Sequence, residues 1–356
     1  MKEINKVNKK SLFKKLFIKV CRMLNYEIID QNNFYLPVTK QNLDEDLSIA
    51  GKRSLTIPMG NVEITRKVKS LTIILRSCAS VQMLTQSKKR IFDSEKSEYT
   101  LRTLNSLINS LNFSKDLFNN ISLDLVIVDH ASDQNIIDKM RLMLSKQFFK
   151  SKIISLDLEN FVKKINPINE KNEKVSLNQM SNMANINQSL LLSKECEDLI
   201  YFVEDDYIHS KESIKEMILT YEKLSTLFKN ELILCPTDYP YLYTKTDNSK
   251  IFLGDKKHWR TVNETLCTFL TSKVIIDRYW EKLDNWCKFE HYPFEKPLHE
   301  IYEKEYCLSP IPSLAMHCTN INSIFGLSPN FSWKKIWEEN EVKDHAKDVL
   351  NTLKSI

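Results

Sequence analysis

Residues 199–207 read Leu-Ile-Tyr-Phe-Val-Glu-Asp-Asp-Tyr, so five apolar residues run straight into three adjacent carboxylates, Glu204, Asp205 and Asp206. A short continuous apolar run predicts a strand buried on both faces, as in a parallel sheet. Three carboxylates at the end of such a strand repel one another unless a cation or water relieves them. Hard divalent cations take oxygen ligands and complete their shell with substrate phosphates. The plainer reading is a solvated acidic start to a helix over residues 210–224, capped by Ser210 or Ser213. The position behind a buried strand favours the metal.

Working outward, residues 71–75, 123–128 and 152–156 are further strand-like apolar runs, and residues 99–111 and 175–192 carry apolar side chains at helical spacing. Strands alternating with helices predict an α/β fold, a doubly wound, mostly parallel sheet flanked by helices. Ligands in such sheets bind beyond the carboxyl ends of the strands. That singles out Arg76-Ser77, Asp129-His130-Ala131-Ser132-Asp133 and the acidic triplet.

Composition narrows the function classes. A chain of 356 residues, 42% hydrophobic and 27% charged, can bury a full core and carry an extension. Its four glycines form neither G-x-G-x-x-G nor G-x-x-x-x-G-K-[ST], which argues against a Rossmann dehydrogenase, a P-loop enzyme and a glycine-looped methyltransferase. Eight cysteines stand singly, without zinc-site pairing or disulfide-scaffold density, and read as buried small hydrophobes in a reducing cytoplasm.

The net charge of +5 is concentrated at the start, where eight basic residues between Lys2 and Arg22 face Glu3 alone. Leu12, Phe13, Leu16, Phe17, Val20, Met23 and Leu24 recur there at helical spacing, which predicts a basic amphipathic helix, too short and too charged to span a bilayer. Two readings stay open: an in-plane anchor on the anionic cytoplasmic leaflet of the inner membrane, or packing on the rest of the chain. Residues 25–70 read as a connecting region with a few short strands, and residues 333–353 as a C-terminal helix.

Val-Glu-Asp-Asp-Tyr at 203–207 resembles the DXD motif of GT-A glycosyltransferases, in a Glu-Asp-Asp form. The resemblance, to family 2-like members of the nucleotide-diphospho-sugar transferase superfamily, implies a divalent cation, Mn²⁺ or Mg²⁺, held by Asp206 against the diphosphate of a nucleotide sugar. Glu204 and Asp205 would contact ribose, sugar or metal-bound water. Ile-Val-Asp-His-Ala-Ser-Asp at 127–133 is similar to the family's Val-Asp-Asp-Gly-Ser, which gives Asp129 the base or ribose. Here Ala131 stands in place of glycine and Asp133 comes one position early. Ala-Asn-Ile-Asn-Gln-Ser-Leu at 184–190 is similar to Ala-Arg-Asn-x-Gly-Leu and marks Asn187.

Phe-Glu-Lys-Pro-Leu at 294–298 resembles the Glu-Asp-x-x-Leu helix start of inverting members, and makes Glu295 the base that deprotonates an acceptor hydroxyl, with Glu290 and Glu300 as alternatives. His317, behind a strand-like stretch over 308–315, resembles the family's C-terminal metal ligand. Arg76 would help position the nucleotide. Tyr239, Tyr241 and Tyr243 would line an acceptor cleft or form an ordinary half-buried strand.

The resemblance covers residues 70–330 as a catalytic domain, between an extension over 1–69 and a helical segment over 331–356. It implies a uridine diphosphate sugar as donor and a carbohydrate or lipid-linked acceptor, such as a glycolipid or surface-glycan precursor. A nucleotidyltransferase of the same fold family would show a glycine-rich loop after the first strand, where residues 76–80 have no glycine. A non-catalytic carbohydrate-binding or scaffold protein is the third reading. Nucleic-acid binding is disfavoured, because the basic cluster carries an apolar face and no stacking motif.

Overall fold

The computed structural model describes residues 12–26, 54–57, 60–79, 90–244 and 249–342. The first elements are α1 (Leu12–Met23) and a hairpin of β1 (Ser54–Ile57) and β2 (Gly60–Glu63). An alternating series follows: β3 (Ser70–Ser77), α2 (Lys96–Phe113), β4 (Ser122–Asp129), α3 (Gln134–Leu144), β5 (Lys150–Ser155), α4 (Leu158–Val162), α5 (Leu177–Ser193) and β6 (Leu199–Glu204). Beyond it come β7 (Tyr207–His209), α6 (Ser213–Phe228), β8 (Ile233–Leu234), β9 (Ile251–Leu253), β10 (His258–Thr261) and β11 (Phe269–Ser272). The chain continues through α7 (Lys273–Arg278), α8 (Trp280–Trp286), α9 (Lys296–Tyr302), β12 (Cys307–Ile311), β13 (Ala315–His317) and α10 (Trp333–Glu339).

Nine strands form one sheet in the order β5-β4-β3-β6-β11-β8-β12-β10-β9. The first four are parallel. β11 runs antiparallel to both β6 and β8, and β12 is parallel to β8. All eight residues of β3 are buried because both faces of the sheet are covered. Leu71, Ile73 and Leu75 pack with Leu104, Leu107 and Leu111 of α2, whereas Ile74 joins Met183, Ala184 and Ile186 of α5 on the other face, as a period of two requires.

A second, two-stranded sheet creates the site. β6 ends at Glu204 and β7 begins at Tyr207, so Asp205 and Asp206 form the corner between them. β13 pairs antiparallel with β7 in the register His317↔Tyr207, and the Cys318 amide donates to the Asp206 carbonyl at 2.8 Å. The acidic triplet therefore does not cap α6: β7 intervenes, and the residue before that helix is Glu212, with no side-chain cap.

Tyr239, Tyr241 and Tyr243 do not form an alternating strand. Tyr239 leads into a 3₁₀ turn over Pro240–Tyr243, where proline fixes φ and offers no amide to a ladder. The stretch expected as one strand over 308–315 breaks into β12 and β13 around Pro312, for the same lack of an amide. Of the C-terminal helix, α10 packs Ile336 and Trp337 onto Tyr99, Ile208 and Met316, and residues 343–353 lie outside the described set. Cys235, Cys267, Cys287, Cys307 and Cys318 are buried, while Cys21, Cys78 and Cys196 are half-buried.

On α1 the apolar side chains Phe13, Leu16, Phe17, Val20 and Met23 are all exposed, Phe13 by 79% and Met23 by 78%, so they do not pack on the rest of the described chain. No helix among the described residues is long and apolar enough to cross a membrane.

Candidate active site

A cavity of about 590 Å³ opens over the carboxyl ends of β4, β3 and β6, and its lining includes Arg76, His130, Glu204, Asp206, Glu295 and His317. The topology puts these groups in order across the sheet: His130 after β4, Arg76 on β3, the carboxylates after β6, and Glu295 beside Cys267, which precedes β11.

Asp206 and His317 meet through the β7–β13 pairing. His317 Nδ1 lies 2.7 Å from the Phe325 carbonyl, which can only accept, so Nδ1 donates there and Nε2 is the nitrogen left to face the cavity. The ring stacks on Tyr207 at 4.6 Å and 10°, which directs Nε2 toward Asp206 Oδ2, 3.8 Å away. That separation exceeds hydrogen-bond reach and suits two ligands that share an ion. A histidine whose other nitrogen donates to a backbone carbonyl is oriented as metal-ligating histidines are. Burial alone would raise the Asp206 pKa, but the fields of His317, Lys96, Arg90 and Arg76 hold it below the usual carboxylate range. Among the described residues no three His, Cys, Asp or Glu side chains group to hold an ion unaided. Asp206 and His317 thus fit a cation that draws its remaining ligands from substrate phosphates and water, as Mg²⁺ sites do.

Glu204 and Glu295 occupy the side toward β11. Glu204 Oε1 lies 3.0 Å from Arg76 Nη2, and Arg76 Nη1 donates to Asn182 Oδ1 at 2.9 Å. Burial pushes the Glu204 pKa up against the pull of Arg76. Glu295 sits at the N-terminus of α9 and accepts from Cys267 Sγ at 3.7 Å. Burial pushes its carboxyl up to about 7, the range suited to a general base at neutral pH. The two alternatives do not line the cavity: Glu290 accepts from Asn169 at 3.0 Å, and Glu300 pairs with Lys282.

Of three further expected contact residues, Asp205 lines the cavity, whereas Asp129 and Asn187 do not. Asp205 also accepts from the Cys78 amide at 3.0 Å and Thr100 Oγ1 at 2.9 Å and pairs with Lys96, so it ties α2 and the segment after β3 to the corner. Asp129 accepts from Ser77 Oγ and Ser132 Oγ, both at 2.6 Å, and from the Ser132 amide at 3.1 Å, and does not line the cavity. Asn187 faces away, donating to Cys287 Sγ at 2.8 Å. The asparagines of α5 that line the cavity are Asn178, Asn182 and Asn185.

Sequence reasoning missed Arg90 and Lys96 as cavity residues, and gave His130, within a stretch it singled out, no role of its own. Both ring nitrogens of His130 are buried without a hydrogen-bond partner, and burial lowers its pKa despite Asp129, so the ring is neutral. Ala131 adopts φ 53°, the left-handed conformation that glycine meets without strain.

Four parallel strands, an antiparallel partner beside β6, and an acidic corner faced by a histidine from a later strand complete the architecture. This is a GT-A-like fold. No family model matches the chain, and no curated protein matches it. Among solved structures, residues 1–349 of S. aureus TarS match at 13% identity over 59% of this chain and 48% of that one, with a TM-score of 0.33. Mouse xyloside xylosyltransferase 1 matches at 12% identity over 66% and 83%, with a TM-score of 0.37. The galactosyltransferase LgtC, solved with donor and acceptor sugar analogs, matches at 11% over 65% and 64%, with a TM-score of 0.30. The match thus spans about half of the TarS fragment and just under two thirds of LgtC. The mouse protein and LgtC are named as a xylosyltransferase and a galactosyltransferase.

Proposed function

We propose that the chain transfers a sugar from a nucleoside diphosphate sugar to a hydroxyl acceptor, with a divalent cation, Mn²⁺ or Mg²⁺, at Asp206 and His317. The observation that carries this reading is the order of groups along one cavity: a neutral histidine, a cationic strand end, a carboxylate–histidine pair, then a carboxyl pushed up to about 7. His130 and Asp206 follow strands two apart, a spacing of about 10 Å. That is room for ribose and diphosphate between a nucleobase and the sugar carbon.

In this reading Leu158 and Val162 give the base an apolar surface and His130 gives it a donor and an acceptor. When bound, the cation neutralises charge on the departing diphosphate. Arg76 fixes Glu204 beside the transferred sugar. Glu295 takes the proton of the attacking hydroxyl, as a single-displacement, inverting transfer requires. A uridine diphosphate sugar is the donor we favour. The exposed apolar face of α1, with the basic residues around it, supports peripheral attachment to an anionic membrane and hence a lipid-linked acceptor.

The test is thermal stabilisation by a panel of nucleoside diphosphates and nucleotide sugars, with Mn²⁺ or chelator, on wild type and Asp206→Ala. Ligands that bind the native state raise its apparent stability by mass action. Metal-dependent stabilisation by one nucleotide class, lost in Asp206→Ala, supports the reading and names the donor. No shift with any nucleotide would replace it with the carbohydrate-binding or scaffold reading.

A further inference from the structure

Arg90 is held in place with nothing to hold. The next residue, Ile91, donates its amide to the Thr319 carbonyl at 3.2 Å, just past β13. Phe92 stacks on Trp337 at 3.9 Å and 15°, and exchanges hydrogen bonds with the Tyr99 hydroxyl at 2.6 and 3.2 Å. The Arg90 guanidinium is thereby set over the Tyr99 ring, 4.5 Å from its centroid, at the wall of the cavity. Both terminal nitrogens, Nη1 and Nη2, are buried and have no hydrogen-bond acceptor among the described residues.

An arginine carries its charge at every relevant pH, and a cation withheld from water without a counter-charge is costly. Other arginines here have carboxylate partners. Arg66 bridges Asp198 and Glu231, Arg278 meets Glu305, and Arg76 meets Glu204. The neighbouring cavity cation, Lys96, is committed to Asp205. Arg90 lines the same cavity as Asp206, yet neither of its terminal nitrogens hydrogen-bonds to it. A guanidinium fork with two open donor nitrogens, beside the carboxylate–histidine pair, is complementary to a di-anionic phosphate group.

We propose that Arg90 binds the diphosphate of the ligand directly, as a second anchor that works without the cation. The inference rests on reading the cavity as a nucleotide site, and it adds a consequence which that reading lacks: chelation weakens diphosphate binding but does not abolish it.

The experiment is calorimetric titration of inorganic pyrophosphate, uridine diphosphate and uridine into wild type, Arg90→Gln and Arg90→Lys, in chelator and in Mn²⁺, with thermal melts as a folding control. In chelator, Arg90→Gln is expected to lose roughly tenfold to hundredfold in affinity for pyrophosphate and uridine diphosphate, as loss of a charged hydrogen-bonding group implies. Arg90→Lys, which keeps charge without the fork, should fall between, and uridine should not change. Equal pyrophosphate affinity in wild type and both variants would overturn the proposal, as would no binding by wild type in chelator. If Arg90→Gln fails to fold, Arg90→Lys decides alone: an affinity unchanged from wild type overturns the bidentate anchor. Mn²⁺-dependent uridine diphosphate binding unaffected at Arg90 would sink Arg90 and leave the transferase standing. Pyrophosphate binding lost at Arg90, with no preference for any nucleotide, would do the reverse.

Discussion

Nε2 of His317 stands 3.8 Å from Oδ2 of Asp206, and the pair exists because β13 lies antiparallel to β7 with His317 opposite Tyr207. The ring is locked twice, by the Tyr207 face and by the Phe325 carbonyl, so little freedom remains to be lost on taking a ligand. Asp206→Ala and His317→Ala should each weaken Mn²⁺ binding by more than the roughly 10- to 100-fold that losing a mere orienting partner costs. Calorimetric Mn²⁺ titration with saturating nucleotide checks this, and His317→Ala with wild-type affinity would remove His317 from the site.

Glu295 ties activity and stability to the same proton in opposite directions. Its folded-state pKa, about 7, lies above the unfolded carboxylate value. Its contribution to stability is therefore complete below that unfolded value and is lost as pH rises through about 7. The loss is on the order of 3 kcal/mol at most. The basic form needed to accept a proton grows over the same window, so kcat/KM should rise with pH and level off above about 7. Glu295→Gln should remove roughly 10²- to 10⁴-fold of activity and flatten both profiles. Paired pH–rate and pH–melting curves read the outcome, and a variant that keeps the wild-type rate profile would return the base to another group.

Asp205 shows how a motif residue can be structural. Its carboxylate is held by the Cys78 amide, Thr100 and Lys96, which join the segment after β3, α2 and the corner that positions Asp206. Removing one partner of a buried charged network costs about 3–5 kcal/mol because the others are left unmet. Asp205→Ala should thus lower denaturant stability by that order, and Thr100→Val by about 1 kcal/mol. A ribose-binding Asp205 would give the opposite pattern, with unchanged stability and weakened nucleotide binding.

How much of this was legible in the sequence differs residue by residue. The parallel strands were readable because burial on both faces writes itself as unbroken apolar runs, as in residues 71–75 and 199–203. The triplet was readable because it terminates such a run. Facing, by contrast, is a matter of phase. Successive residues at a strand end point to opposite sides, so the cavity received His130 and not Asp129. On α5, Asn187 lies five residues from Asn182, about 140° around the helix, so one meets Cys287 and the other Arg76. Arg90 and Lys96 sit where no periodicity marks them, and only the contact of the following segment with Thr319 and Trp337 brings Arg90 to the cavity.

Ala131 carries a measurable strain. The resembling motif has glycine at this place, and the backbone here is left-handed at φ 53° all the same. The left-handed conformation costs an L-residue about 1–2 kcal/mol, while glycine loses about 0.5–1 kcal/mol more entropy on folding. Ala131→Gly should therefore raise stability by about 1 kcal/mol or somewhat less, by chemical denaturation, with activity unchanged. A destabilised variant would mean that the Ala131 methyl packs in a way that outweighs the strain.

The exposed face of α1 calls for a cover. Phe13, Leu16, Phe17, Val20 and Met23 form one apolar stripe in water, on a segment with eight basic residues against Glu3. Such a helix lies in the plane of an anionic membrane, with apolar burial supplying attraction and each basic residue near the surface adding about 1 kcal/mol at low salt. The full chain should float with vesicles containing phosphatidylglycerol, bind pure phosphatidylcholine weakly, and release as ionic strength rises and screening shortens the reach of the charges. The double substitution Leu16→Glu and Phe17→Glu should abolish flotation at unchanged melting temperature, because neither side chain packs on the rest of the described chain. Flotation that survives the substitution would place the membrane contact elsewhere. If the wild type does not float but is a dimer by light scattering, and the variant is a monomer, the stripe is covered by a second copy of the chain.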